Sequence, residues 1–138
     1  MDFPEERWRN RDLSLLDGCW VLGRPNRATL HRGDGRSIEG TQRAGEYCFS
    51  GNGRGTGQAT ADFPGVRVDC RAPIAADFQP DGQLAIRRPQ VDCNPPDIRW
   101  GVNDTNQATC RRVNDRELTC RGEDGNEQLF QRRQGQQR

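Results

Sequence analysis

The stretch VRVDCRAPIAADFQPDGQLAI, residues 66–86, decides the fold class. Its first half alternates apolar and polar residues with a period of two. This places Val66, Val68 and Cys70 on one face of a strand and charged residues on the other. The turn residues at 80–82, Pro-Asp-Gly, then separate this strand from a second apolar run that ends at Ile86. The stretch therefore predicts an antiparallel β-hairpin with one buried face.

Similar short strands recur on both sides of this hairpin. Turn signals such as Asn52-Gly53 separate them at intervals of roughly 8–12 residues, and no segment between residues 13 and 133 shows a sustained helical period. The polar stretch 23–45 reads as one large loop with room for an edge strand. We therefore predict an all-β domain, either an antiparallel barrel of about eight strands or a compact sandwich.

The length of 138 residues predicts one domain. We expect residues 1–12 to form a charged leader or strap, residues 13–133 to form the β-domain, and residues 134–138 to form a flexible tail. No charged segment followed by an apolar one opens the chain, so we expect a part of a longer, exported protein.

Composition excludes several classes of function. The net charge is +1 and the arginines are interleaved with acidic residues, a pattern that does not suit nucleic-acid binding. Apolar runs are too short to span a membrane. Only 31% of the residues are hydrophobic, so the core must be small and needs additional cross-links.

The cysteines supply those cross-links. None stands in a C-x-x-C pair, and the gaps of 10 to 29 residues do not suit zinc, so we expect no metal and three disulfides formed in an oxidising compartment. A three-residue loop at 114–116 would place Cys110 opposite Cys120, which makes this the best pair. The other four allow three pairings, among which we prefer Cys48–Cys70 with Cys19–Cys93. The six positions are Cys19, Cys48, Cys70, Cys93, Cys110 and Cys120.

The sequence Gly18-Cys19-Trp20 carries a Gly-x-Trp pattern on the first predicted strand. It resembles lipocalin-like barrels, including small bacterial metalloprotease inhibitors. The resemblance implies that Trp20 lies across the closed end of a barrel, where an arginine of the last strand, Arg132 or Arg133, stacks on it. A guanidinium over an indole adds about 0.5–2 kcal/mol.

A longer similarity covers residues 15–133. It consists of Leu-x-Gly-Cys-Trp, Tyr-Cys-Phe-x-x-Asn-Gly-x-Gly, Cys-x-Ala-Pro-Ile-x-Ala-x-Phe-x-x-Asp-Gly-x-Leu, three further cysteines and a terminal Arg-Arg. This order resembles the cysteine-rich domain of SrfA-type bacterial proteins, which are associated with virulence. The resemblance implies a periplasmic, envelope-bound or secreted setting.

Catalytic motifs are absent from the sequence. The glycine-rich run 51–57 has no following helix or Gly-Lys-Ser/Thr, so it predicts a hairpin and not a phosphate loop. The lone His31 has no accompanying nucleophile motif. We therefore expect neither an enzyme nor a cofactor.

The remaining hypothesis is a non-enzymatic module that binds another protein and is monomeric as an isolated domain. Its contact surface would lie on the loops 23–45 and 94–106. The candidate contact residues are His31, Arg32, Ile98, Arg99 and Trp100.

One alternative is a protease-inhibitor barrel that inserts residues 1–12 into an active-site cleft. Another is a small-ligand barrel, which needs an apolar cavity that this composition scarcely supplies.

Overall fold

The computed structural model describes residues 5–31, 35–95, 99–100, 107–122 and 125–133. These contain helix α1 (Glu5–Arg9), a 3₁₀ helix (Leu13–Leu16) and eleven β-strands. The strands are β1 (Gly18–Leu22), β2 (Asn26–His31), β3 (Ser37–Gly51), β4 (Arg54–Phe63), β5 (Val66–Phe78), β6 (Leu84–Arg87), β7 (Asp92–Asn94), β8 (Arg99–Trp100), β9 (Gln107–Asn114), β10 (Glu117–Arg121) and β11 (Glu127–Arg132). Neither helix of these segments has the length or apolar character needed to cross a membrane.

Eight of the strands close an antiparallel barrel. They pair in the order β1-β11-β10-β9-β6-β5-β4-β3, and β3 pairs with β1 to complete the ring. The predicted all-β class and the barrel are thereby confirmed, and the sandwich is not formed. The predicted turn at Asn52-Gly53 joins β3 to β4, with positive φ at both residues.

The long strands β3 and β5 extend beyond the barrel and carry a second layer. There β2 pairs with β3, β8 pairs with β2, and β7 pairs with β5. We call β2, β7, β8 and the parts of β3, β4 and β5 that pair with them the upper sheet. The prediction of one large loop at 23–45 is therefore wrong, because β2 and the first half of β3 lie there. Their many polar side chains obscure a strand pair whose Ala28 is buried.

Two apolar clusters hold these layers. The cluster inside the barrel includes Trp20, Tyr47 and Phe130, together with Leu15 and Leu16 of the 3₁₀ helix. The smaller cluster covers the inner face of the upper sheet around Phe63 and Val68. The two clusters are separated by a band of polar side chains that forms the candidate site described below.

All three disulfides join residues directly opposite each other on neighbouring antiparallel strands. Cys110–Cys120 is the predicted pair, although the turn that sets it differs from the predicted three-residue loop. Asn114 faces Glu117 across a two-residue turn, and a bulge at Val113 restores the register.

The preferred pairing of the other four cysteines is wrong. The disulfides are Cys19–Cys48, between β1 and β3, and Cys70–Cys93, between β5 and β7. Cys48 and Cys70 lie on strands separated by β4. Two strand spacings amount to about 10 Å, which exceeds the Cα separation that a disulfide tolerates.

Candidate functional site

One end of the barrel is sealed by Trp20 and Arg132. The Trp20 side chain is fully buried, and its indole nitrogen donates to the Leu16 carbonyl oxygen at 3.0 Å. The Arg132 guanidinium lies 4.3 Å from the centroid of the Trp20 ring. It also donates to the Asp17 carbonyl oxygen at 2.8 Å and to the Leu15 carbonyl oxygen. We call this arrangement the barrel floor.

The other residues predicted for the floor have different positions. Gly18 opens β1 with φ +109°, a conformation that glycine adopts readily. Arg133 lies on the outside of the barrel and pairs with Glu46. The floor therefore uses Arg132 and not Arg133, since neighbouring residues of a strand point to opposite faces.

Two layers of side chains lie above the floor. The first contains Tyr47 and Phe130, whose ring centroids are 4.9 Å apart. The second contains the amides of Gln42 and Gln128, and Gln128 donates to the Gln42 side-chain oxygen across the barrel. Gln42 is only 3% exposed. The barrel interior thus changes from apolar to polar but uncharged along its axis.

A cavity of about 90 Å³ lies at this level, and we call it the mouth cavity. Its wall includes the two glutamines, Tyr47 and Phe130. Small side chains of β2, β4 and β5 leave the space open: Ala28, Ala59 and Ala72. A cavity of this volume accepts a group of only a few heavy atoms.

Asn26, at the start of β2, also lines the mouth cavity. Its side-chain nitrogen donates to the Arg27 carbonyl oxygen at 2.8 Å, which fixes the orientation of the amide. The side-chain oxygen Oδ1 is buried and has no hydrogen-bond partner among the described residues. Leaving a buried acceptor unsatisfied costs about 1–3 kcal/mol, so this oxygen favours a donor from a bound group.

Charged side chains of β4 and its neighbours lie on the outside of the upper sheet. The Asp62 carboxylate accepts from the Arg67 Nε at 2.9 Å and also pairs with Arg43. These hydrogen bonds, that of Arg67 first, lower the pKa of Asp62 below its ordinary value. The amides of the mouth cavity, in contrast, do not titrate near neutral pH. They can donate and accept hydrogen bonds but cannot act as general acids or bases.

A second concavity, of about 670 Å³, lies on the outer face of β3, β4 and β5. Several of its polar groups already pair with each other. Gln58 donates to Glu46, which also binds Arg133, and Thr60 donates to Asp69 at 2.7 Å. A ligand there would have to compete with these contacts, so this outer groove is a weaker candidate than the mouth cavity.

Cys19, Glu46 and Cys48 bring their potential ligand atoms within 4.8 Å of one another. The two sulfur atoms are bonded to each other, however, and no thiolate remains to hold a metal ion.

The predicted contact residues fall largely outside the described structure. Arg32 and Ile98 lie outside the described residues, and so do the side chains of His31, Arg99 and Trp100. The backbone register places His31 opposite Arg99, where β2 pairs with β8. The structure therefore brings two of the predicted contact segments to one edge of the upper sheet.

The described part of the leader, residues 5–12, packs on the barrel. Trp8 makes an edge-to-face contact with Phe78 at a centroid distance of 5.0 Å. Arg11 donates to the Pro80 carbonyl oxygen at 3.1 Å. This segment thus lies against the β5–β6 turn.

Three side chains of the site, the amides of Asn26, Gln42 and Gln128, were not predicted from the sequence. A signal existed for Gln128, because it is two residues from Phe130 and four from Arg132 and so shares their inward face. Asn26 and Gln42 lie in the stretch 23–45, which was interpreted as a loop, so no inward face was assigned to them.

Comparisons with known proteins give little further information. No protein-family profile matches the sequence, and no curated protein matches it. Among solved structures, a redesigned β-barrel is similar, with a TM-score of 0.39 and 16% sequence identity. The match covers 90% of this chain and 96% of that one.

Proposed function

We propose that this chain is a non-enzymatic module that binds another protein through the mouth cavity. The observation that carries this proposal is the buried acceptor of Asn26 beside the paired amides of Gln42 and Gln128. Polar groups that converge on a concave site of a rigid scaffold are typical of recognition. Their inability to titrate favours binding over catalysis.

The size of the mouth cavity supports a protein partner. Pockets for drug-sized ligands have volumes of about 300–1,000 Å³, several times the 90 Å³ present here. A lipid or a nucleotide cofactor would not fit. A protein can insert one small side chain and gain the rest of its affinity from the surface around the mouth.

The proposed setting is the bacterial envelope or a secretion-associated, virulence-related protein. The three disulfides are consistent with an oxidising, extracytoplasmic environment. The similarity of the cysteine-rich motifs to SrfA-type proteins supports the narrower assignment.

Photocrosslinking tests the location of the partner. A photoreactive amino acid replaces Gln90, an exposed residue between Arg88 and Val91, both of which line the mouth cavity. The matched control is Gln83, exposed in the β5–β6 turn beside the barrel floor. In envelope-protein extracts, we expect an adduct of defined mass from position 90 and none from position 83.

A second substitution links that adduct to the mouth cavity. Ala72→Leu adds three carbon atoms inside the cavity, whereas Ala75→Leu makes the same change on the outer face of β5. We expect the first variant to lose the adduct and the second to keep it. An adduct that survives Ala72→Leu in a folded protein would show that the partner does not use the mouth cavity.

A further inference from the structure

The chemistry of the mouth cavity narrows the group that it binds. The inference rests on the proposed function and concerns only which group the partner inserts. Four properties of the cavity decide it: its volume, the pairing with Arg133 of the one acid among its described residues, its paired amides and the unsatisfied acceptor.

The unsatisfied acceptor requires a donor. Asn26 Oδ1 is buried, and the bond from the other end of the amide to the Arg27 carbonyl keeps it from turning away. The bound group must therefore carry an N–H or O–H.

The charges at the wall argue against a cationic donor. Among the described residues that line the cavity, the one carboxylate, that of Glu46, is paired with Arg133. Arg88, which follows the inward-facing Ile86 by two residues, adds a positive charge at the wall. An ammonium or guanidinium would lose its hydration without gaining a counter-ion, which is costly.

A carboxamide meets all of these conditions. Its N–H donates to Asn26 Oδ1, its carbonyl accepts from the Gln42 or Gln128 amide, and its aliphatic stem packs on Tyr47 and Phe130. Acetamide has four heavy atoms, which is in keeping with a cavity of about 90 Å³. We propose that the mouth cavity is a carboxamide-binding site and that the partner inserts an asparagine or glutamine side chain.

Three probes of almost equal shape test this proposal: acetamide, acetone and acetate. Acetone lacks the donor, and acetate lacks the donor and carries a charge. Titrations are followed by ¹H–¹⁵N NMR of the intact protein, including the side-chain amide signals of Asn26, Gln42 and Gln128. We expect acetamide to bind about five- to tenfold more tightly than acetone, the factor for one hydrogen bond of about 1 kcal/mol. Acetate also lacks the donor and should bind more weakly than acetamide, whereas tighter binding of acetate would overturn the proposal and show that an arginine of the lining, such as Arg88, selects an anion.

The variant Asn26→Ala provides the second readout. It removes the acceptor and enlarges the cavity, so both neutral probes should still bind, but with equal affinity. Equal affinities in the natural protein would overturn the carboxamide assignment while leaving the mouth cavity as a binding site. If no probe shifts these signals, the proposed function itself fails.

A last comparison distinguishes the sources of the carboxamide. A blocked glutamine tripeptide should bind more tightly than N-acetylglucosamine, whose acetamido group is a carboxamide joined to a sugar through its nitrogen. The reverse order would exclude the protein side chain as the natural occupant.

Discussion

Replacing Arg132 by alanine should remove the side chain that holds the barrel floor together. Arg132 is 5% exposed, and its guanidinium donates to the carbonyl oxygens of Asp17 and Leu15 while it covers the Trp20 ring. Hydrogen bonds to a charged group contribute about 1.5–3 kcal/mol each, and a buried cation–π contact up to about 2 kcal/mol. We expect Arg132→Ala to lower the free energy of unfolding by about 4 kcal/mol.

The neighbouring arginine gives a matched control. Arg133 is one residue further along, and its side chain is 47% exposed in its pair with Glu46. Surface ion pairs contribute at most about 1 kcal/mol, so Arg133→Ala should have a small effect. Arg132→Lys should fall between the two, because lysine keeps the charge but lacks the planar fork that reaches both carbonyl groups.

The assay is urea unfolding followed by far-ultraviolet circular dichroism, with the disulfides intact. The midpoint and the slope are compared, because an unchanged slope shows that the variants differ in stability and not in compactness. If Arg132→Ala and Arg133→Ala have midpoints within the error of each other, the stabilising role assigned to the floor is wrong.

Two further predictions concern the strands. Gly55→Ala should lower the free energy of unfolding by about 2 kcal/mol or more, because a Cβ at Gly55 would overlap the Cys48 carbonyl. A Cβ at Gly23 would meet only a flexible glutamine side chain, at 3.1 Å. Gly23→Ala should therefore leave the urea midpoint nearly unchanged, and equal losses would contradict the argument. Asp62 has a pKa lowered by Arg67, so its contribution to stability is present above about pH 3.8, its unfolded value, and is lost as the pH falls through the folded value. Asp62→Asn should thus lower the urea midpoint more at pH 6 than at pH 2, and equal shifts at both values would refute the linkage.

The barrel could be predicted from the sequence because the strongest patterns in the sequence are local. The alternation in residues 66–76 and the turns that follow report which face of each strand is buried, and a disulfide across a hairpin depends on a short loop. The Cys110–Cys120 pair was predictable for that reason. The floor was predictable through the Gly-x-Trp resemblance, which named Trp20 and two candidate arginines.

The remaining disulfides depend on pairing between distant segments. Cys19 faces Cys48 only because β1 closes the barrel against β3, and Cys70 faces Cys93 because the chain returns along β5 after β6. The spacing of the cysteines along the chain does not reveal either of these disulfide pairings. Strand order must be known first, and it is set by the whole barrel.

The lining of the mouth cavity depends on a one-residue bulge in β3, which the alternation of the sequence does not reveal. Thr60 of β4 faces Ala44 and Ala61 faces Gln42, so Arg43 is an extra residue, a bulge in β3. Tyr47 and Phe49 point inward, and an unbroken alternation would have turned Arg43 inward as well. The bulge instead directs Arg43 to its outer partner and Gln42 into the barrel.

The position of this single residue therefore affects the charge inside the cavity. With Arg43 inside, the cavity would gain a guanidinium in addition to that of Arg88 and would favour an anion. With Gln42 inside, it carries instead an amide that pairs with Gln128 and can both donate and accept hydrogen bonds. Deleting Arg43 would remove only the extra residue, so Gln42 would stay opposite Ala61 with its side chain inside the barrel. The preference for acetamide over acetone should therefore persist in this variant, and its loss would refute the role assigned to the bulge.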